Sequence, residues 1–105
     1  VVMPAWMEYV CGHDPMRFAR FAINVFGCEM DYAHPERTAQ AGIRRLREFF
    51  RALHMPAALE ELGGKAEDIP AMVAHRAEKP NGFPFGGFVK IHKADMEAIL
   101  RRCGA

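Results

Sequence analysis

The sequence predicts an all-α protein in which about six helices pack as one helical domain over residues 1–105. The strongest indication is the segment 35–53, where apolar residues recur in steps of three and four: Ala39, Ile43, Leu46, Phe50 and Leu53. Such steps keep side chains on one face of an α-helix. The second indication is that the candidate extended segment, residues 88–91, has no second strand with which to pair.

The first helix is predicted over residues 1–11, which are apolar apart from Glu8. A helix that is apolar on every side is normally buried on most of them. Pro4 is expected either to lie in its first turn or to kink it. Gly12 is expected to end the helix in a left-handed cap, because it has no Cβ.

The second helix is predicted over residues 15–26 from signals at both of its ends. A residue that precedes proline is disfavoured in the helical conformation, so Asp14 is free to cap while Pro15 takes the first helical position. Gly27 is the expected stop. The polar residues form one narrow stripe, Arg17, Arg20 and Asn24. So wide an apolar face predicts contact with at least two neighbours.

The third helix carries the stripe of segment 35–53 and is the element around which the others should pack. Gly42, beside Ile43 on the apolar side, should let a neighbouring helix approach closely. The opposite side is polar, with Arg37, Gln40, Arg44, Arg47 and Arg51 at the same helical spacing. We therefore expect this side to face water.

Three shorter helices should follow, over residues 57–62, 66–77 and 93–102, the first of them closed by glycines at 63–64. Between the last two lies the loop 78–88, whose prolines and glycines exclude a regular element. The loop contains three phenylalanines, Phe83, Phe85 and Phe88. Aromatic side chains in a loop either pin it to the body of the protein or line a cleft.

Composition narrows the class of protein and the compartment. The formal net charge of +1 gives no strong electrostatic case for nucleic acid or an anionic membrane as partner. The apolar start of the chain is too short for a membrane span, which needs ~20 residues. Three cysteines without a CxxC pair are typical of free thiols in a reducing cytoplasm.

No pattern of reactive residues predicts chemistry on this chain. The five histidines form no HxxxH or HExxH pair, and no Ser/His/Asp or paired-carboxylate spacing is present. The residues therefore predict no catalytic, cofactor-binding or metal-binding side chain. The arginines of the third helix, Arg37, Arg44, Arg45, Arg47 and Arg51, are interpreted as a solvated face. Salt-dependent nucleic-acid binding is the weaker alternative for them.

Five segments follow one another in a particular order: VVMPAWMEYV, DPMRFARFAINVFG, PERTAQAGIRRLREFFRALHMPAALEELG, EDIPAMV and GGFVKIHKADMEAIL. In this order they resemble the C-terminal helical region of iron-containing (group III) alcohol dehydrogenases, in the branch called NADH-dependent butanol dehydrogenases. The similarity covers nearly the whole chain. Two positions depart from the family pattern: the NGFPF loop is longer and more aromatic, and His54 stands where a small residue is common.

The resemblance implies a dehydroquinate synthase-like fold, with an N-terminal α/β domain that binds NAD(P) and a C-terminal helical domain that holds Fe²⁺ or Zn²⁺. Family members bind the metal through one Asp and three His, all of which precede the segment matching VVMPAWM. The metal polarises the alcohol or aldehyde oxygen during hydride transfer. The family loop before the last helix lies near the substrate cleft, which makes Phe83, Phe85 and Phe88 candidate walls of the substrate pocket.

The chain opens on Val1, Val2 and Met3 without a polar lead-in, as if it were cut from a buried element. We therefore expect a fragment, inactive alone, whose partner is the missing N-terminal part of the same enzyme. The parent would act on a small alcohol or aldehyde. The alternative is a free-standing helical interaction module with residues 1–9 as its docking patch. An exposed apolar surface of that size also suits a homo-oligomer.

Overall fold

The computed structural model describes residues 1–103, which form five α-helices and three short 3₁₀ helices. The α-helices are α1 (Val2–Val10), α2 (Pro15–Phe26), α3 (Pro35–Ala52), α4 (Ile69–Ala77) and α5 (Lys93–Arg101). The 3₁₀ helices are Cys11–His13, Leu59–Leu62 and Ala66–Asp68. The predicted all-α class is confirmed. The predicted fourth helix and the start of the predicted fifth are 3₁₀ rather than α-helical.

Helices α2 and α3 make the most extensive contact in the described residues, and Gly42 of α3 lies against Ala22 of α2 within it. A Cβ added at Gly42 would lie 2.8 Å from the Ala22 Cα, closer than packed carbon atoms tolerate. The apolar side chains of Ala39 and Ile43 on α3 are fully buried. The expectation that Gly42 permits a close helix approach is therefore confirmed.

The ends of α2 are those that the sequence predicts. The Asp14 carboxylate accepts a hydrogen bond from the Arg17 backbone N–H at 3.4 Å, and Pro15 is the first helical residue. At the other end Gly27 has φ of 68°, and its N–H donates to the Ile23 carbonyl at 3.0 Å. Both caps rest on residues adjacent to the helix, so neither needs tertiary contacts to be recognised.

The backbone conformations at Gly12 and His54 differ from those expected for their residue types. Gly12 lies within the 3₁₀ helix that continues α1 and is not left-handed, so the predicted glycine cap is wrong. His54, in the turn after α3, has φ of 60°, a region in which glycine is relaxed and other residues are strained. This φ is one that glycine would adopt without strain, so His54 carries a local conformational cost in this turn.

The exposure of two helices corrects the predicted faces. Val2 and Met3 of α1 are 49% and 61% exposed, although the first helix was expected to be buried on most sides. On α3, Arg47 does not lie free in solvent: its guanidinium pairs with Glu8 of α1, and both side chains are about three-quarters buried. Periodicity within α3 could not reveal this, because Glu8 lies 39 residues away.

Helices α1 and α5 are joined by a hydrogen bond of 2.5 Å from the Tyr9 hydroxyl to Asp95 Oδ1. The other oxygen of Asp95 accepts the His92 backbone N–H at 2.9 Å, which caps the start of α5. The Tyr9 hydrogen bond, followed by the His92 backbone hydrogen bond, lowers the pKa of Asp95. The same hydrogen bond to the carboxylate raises the pKa of Tyr9.

Gly42→Ala should lower the free energy of unfolding by about 1–3 kcal/mol, because the added methyl group forces α2 and α3 apart. Gly12→Ala is the matched control, since a Cβ built at Gly12 meets no heavy atom within 4 Å. Urea unfolding followed by circular dichroism measures both variants. A loss of stability in Gly12→Ala as large as that in Gly42→Ala would contradict the close approach.

Tyr9→Phe should lower the free energy of unfolding at neutral pH by about 0.5–1.5 kcal/mol, because it removes a part-exposed hydrogen bond to a carboxylate. Tyr32→Phe, at an 87% exposed position, should have no effect. The lowered pKa of Asp95 means that its contribution is present above its ordinary pKa of about 3.9 and is lost as pH falls through the folded pKa.

The raised pKa of Tyr9 limits the same contribution on the alkaline side. It is fully present below the ordinary tyrosine pKa of about 10 and is lost as pH rises through the folded pKa. The difference in the free energy of unfolding between wild type and Tyr9→Phe should therefore become smaller at both acid and alkaline pH. Unfolding curves recorded over a series of pH values measure this difference. A difference that does not change with pH would be inconsistent with this hydrogen bond.

Candidate functional site

The loop before α5 is fixed to the helical body by Phe88. Its ring meets the rings of Trp6 and Phe18 edge-on, with centroids 6.1 and 5.7 Å apart, and also contacts the His13 ring at 5.2 Å. The Arg17 guanidinium lies 4.8 Å from the Phe88 ring centroid, a favourable cation–π arrangement. Phe88 therefore joins the loop to α1 and α2, which is one of the two roles expected for aromatic residues here.

The other two phenylalanines of the loop form a second group. The rings of Phe83 and Phe85 are 5.8 Å apart. The Arg76 guanidinium lies 4.5 Å from the Phe85 ring centroid, and its Nε donates to the Gly82 carbonyl at 3.1 Å. Arg76 therefore holds the loop against α4 through its guanidinium group.

The loop also closes on itself through backbone hydrogen bonds. Phe85 and Ile91 exchange two of them in an antiparallel bridge, with N–O distances of 3.1 and 2.6 Å. The extended segment 88–91 was expected to lack a pairing partner. That partner is supplied by the same loop, because the glycines between Phe85 and Phe88 let the chain turn back, with Gly86 at φ of 103°.

An apolar cleft of about 300 Å³ lies where α1, α4, α5 and the loop meet. It is lined by Val2, Trp6, Met72, Phe85, Ile91, Met96, Ile99 and Leu100. No titratable side chain is among these residues, so the cleft can bind an apolar group but offers no proton donor or acceptor. Of the three phenylalanines proposed as pocket walls, Phe85 lines this cleft, while Phe83 and Phe88 are not among its lining residues.

Sequence reasoning missed the contribution of Val2, Trp6 and Met72 to this cleft. They lie on α1 and α4, which are separated by more than fifty residues of sequence. The apolar side of α5 is recognisable from the spacing of its apolar residues, and Ile99 and Leu100 on that side are buried. What periodicity does not give is which other helix faces that side.

The histidines are dispersed over the molecule. His13 contacts Phe88, and His34 lies 3.5 Å from Glu36 on the surface. His54, His75 and His92 are exposed on three different elements. Within residues 1–103 no group of three His, Cys, Asp or Glu side chains is placed to hold a metal ion. The described residues therefore do not fit the one-Asp, three-His site that the resemblance implies for the parent.

Two of the three cysteines, Cys11 and Cys103, are buried. Burial raises the pKa of the Cys11 and Cys103 thiols, so both are protonated at neutral pH and poor nucleophiles. All three cysteines are free. In the described part of the chain, no helix has both the length and the apolar character needed to cross a membrane.

The sequence of this chain is similar to the C-terminal regions of known enzymes. Residues 1–104 match the family described as Fe-containing alcohol dehydrogenase family, C-terminal. The NADH-dependent butanol dehydrogenase A of Clostridium acetobutylicum is 31% identical over 104 residues, which are 97% of this chain and 26% of that protein. The probable NADH-dependent butanol dehydrogenase 2 of Bacillus subtilis is 29% identical over 103 residues, with 96% of this chain and 26% of that protein covered.

A solved structure shows the same fold. The crystal structure of the NADH-dependent butanol dehydrogenase A from Thermotoga maritima superposes with a TM-score of 0.86 and 30% sequence identity. The superposition covers 100% of this chain and 27% of that one. The chain thus spans about a quarter of the length of the relatives that it matches.

Phe88→Ala should lower the free energy of unfolding by about 2–4 kcal/mol, because it removes a ring that packs against α1 and α2 at once. Phe49→Ala, at a 49% exposed position of α3, is the control and should cost less than about 1 kcal/mol. Urea denaturation measures both. A Phe88→Ala protein as stable as Phe49→Ala would show that the loop is not held by this ring.

Proposed function

Since this chain belongs to the Fe-containing alcohol dehydrogenase family, whose C-terminal region it matches, we propose that it is the helical part of a metal-dependent, NAD(P)-linked alcohol dehydrogenase. The observation that carries the proposal is the match of the family over residues 1–104. The names of the relatives add the substrate class, a small alcohol such as butanol and its aldehyde, and NADH as the coenzyme.

In this proposal residues 1–105 form a C-terminal helical domain, and the dinucleotide-binding domain and the metal ligands belong to an N-terminal part of the same enzyme. That part is the principal partner. Fe²⁺ or Zn²⁺ held there would polarise the substrate oxygen while hydride passes to or from the nicotinamide. No reacting group is assigned to this chain, which by itself would be inactive.

The role proposed for this chain is to supply the apolar wall of the substrate pocket. Phe85, which lines the apolar cleft, would face the hydrocarbon part of the alcohol, and Phe83, whose ring lies 5.8 Å from that of Phe85, would extend the wall. Phe88 would hold the loop in place through its contacts with Trp6 and Phe18. An apolar wall excludes water from the site of hydride transfer and favours a substrate with a hydrocarbon chain. The pairing of Phe85 with Ile91 fixes the backbone that carries the wall.

The location and assembly belong to the same proposal. Three free cysteines support a location in the reducing cytoplasm. The net charge of +1 supports a protein without nucleic acid or a membrane as its partner. The exposed Val2 and Met3 support contact with another protein surface, either the N-terminal part of the enzyme or a second copy. The same two residues favour the second candidate function, a free-standing helical interaction module that docks through residues 1–9.

The test compares the 105-residue chain with the longest polypeptide that its gene encodes. Supplied with NAD(P) and Fe²⁺ or Zn²⁺, the longer protein should oxidise butanol, and the 105-residue chain should not. Phe85→Ala in the longer protein should raise KM for butanol about tenfold, because a pocket contact worth 1–2 kcal/mol is lost. Phe49→Ala is the control and should leave KM unchanged.

Turnover by the 105-residue chain alone would refute the proposed division of labour. A gene that encodes these residues and nothing before them would instead support the interaction module. Equal KM values for Phe85→Ala and wild type would remove Phe85 from the pocket wall while leaving the dehydrogenase assignment intact.

A further inference from the structure

A polar concavity of about 540 Å³ lies on the molecule away from the apolar cleft, with no lining residue in common. Its walls come from three parts of the chain: Glu8 of α1, Gln40, Arg44 and Arg47 of α3, and Arg102 directly after α5. Three guanidinium groups therefore share one depression with a single carboxylate. Residues so distant in sequence meet there only because α1, α3 and α5 pack together.

Two of the three guanidinium groups are held in place by contacts of their own. Arg47 pairs with Glu8, and both side chains are about three-quarters buried. The Arg102 guanidinium lies 5.8 Å from the Tyr9 ring centroid, and the Tyr9 hydroxyl is in turn fixed by Asp95. Side chains ordered before a ligand arrives lose less conformational entropy when they bind it.

The charges in the concavity do not balance. Glu8 compensates one arginine, so two positive charges remain on the lining residues. A guanidinium presents a planar fork of N–H donors that matches phosphate and carboxylate oxygens better than an ammonium group does. The amide of Gln40 adds a neutral group that can donate to an oxyanion. A ligand that carries two negative charges and several acceptor oxygens is the chemical complement of this set.

We propose that this concavity binds the phosphate group of a small soluble molecule, with Arg44, Arg47 and Arg102 as its principal contacts. A phosphate monoester carries nearly two negative charges at neutral pH, equal to the excess that the lining residues present. The concavity is several times larger than a phosphate group, so the remainder of the ligand has room beside Gln40. This site goes beyond the proposed dehydrogenase role and stands or falls independently of it.

The site differs from the nucleic-acid face that the arginines of the third helix suggested. Arg37, Arg45 and Arg51 do not line the concavity, and Arg51 pairs with Glu61 at 3.7 Å instead. A duplex or single strand would need a row of cations along its backbone. A local group of three, one of them contributed by the end of α5, suits a single phosphate.

The experiment titrates the 105-residue chain, labelled with ¹⁵N, with sodium phosphate at an ionic strength held constant with sodium chloride. We expect saturable shifts of amide signals around Arg44, Arg47 and Arg102. Arg44→Gln and Arg102→Gln should each weaken phosphate binding about tenfold, because each removes a charge-assisted hydrogen-bond donor. Arg37→Gln is the matched control on α3 and should leave the affinity unchanged within about twofold.

The spectra also report whether each variant is folded, because chemical shifts far from the substitution should match those of wild type. Phosphate shifts that do not exceed those with chloride would overturn the proposal. Binding that survives both Arg44→Gln and Arg102→Gln would identify an adventitious ion only and would overturn it too. A second arm uses phosphatidylcholine vesicles with and without phosphatidic acid. Sedimentation with the phosphatidic acid vesicles in the absence of free-phosphate binding would assign the surface to a membrane and contradict a soluble ligand.

Discussion

The close approach of α2 and α3 at Gly42 is the constraint on which the rest of this structure depends. With the Gly42 position empty of side chain, the Ala22 backbone can lie against α3, and Ala39 and Ile43 are buried completely. The two helices then act as one unit, and α1 packs across α3. Phe18 lies one turn before Ala22 on α2, and its ring packs against the Phe88 ring of the loop. The position of the loop therefore depends on the α2–α3 packing that the absence of a side chain at Gly42 permits.

The same packing separates two surfaces of different character. One side presents an apolar cleft that offers only hydrocarbon and aromatic contacts. The other presents arginines fixed by Glu8 and by Tyr9. Neither surface contains a nucleophile, and the described residues bring no set of metal ligands together. In the proposed enzyme, these two surfaces would shape and support a site whose reacting groups belong to the rest of the polypeptide.

The sequence was sufficient to predict those features that depend only on contacts between neighbouring residues. Both ends of α2 follow from Asp14, Pro15 and Gly27, and their caps need no partner from elsewhere. The same reasoning failed at Gly12, where the chain continued into a 3₁₀ helix instead of reversing. The family itself was recognisable from the order of short segments, and the comparisons confirm it. Interactions across long separations, such as Arg47 with Glu8, depend on packing that periodicity within one helix does not contain.

Amide hydrogen exchange of the 105-residue chain tests the central role of the α2–α3 contact most directly. Amides in α2 and α3 near Ala22 and Gly42 should be the slowest to exchange, because they open only when the whole structure unfolds. Amides of α4, which is short and has only Ile69 and Val73 buried, should exchange faster through local opening. If α4 were as protected as α2 and α3, or if α2 and α3 exchanged first, the contact at Gly42 could not be what holds the structure together.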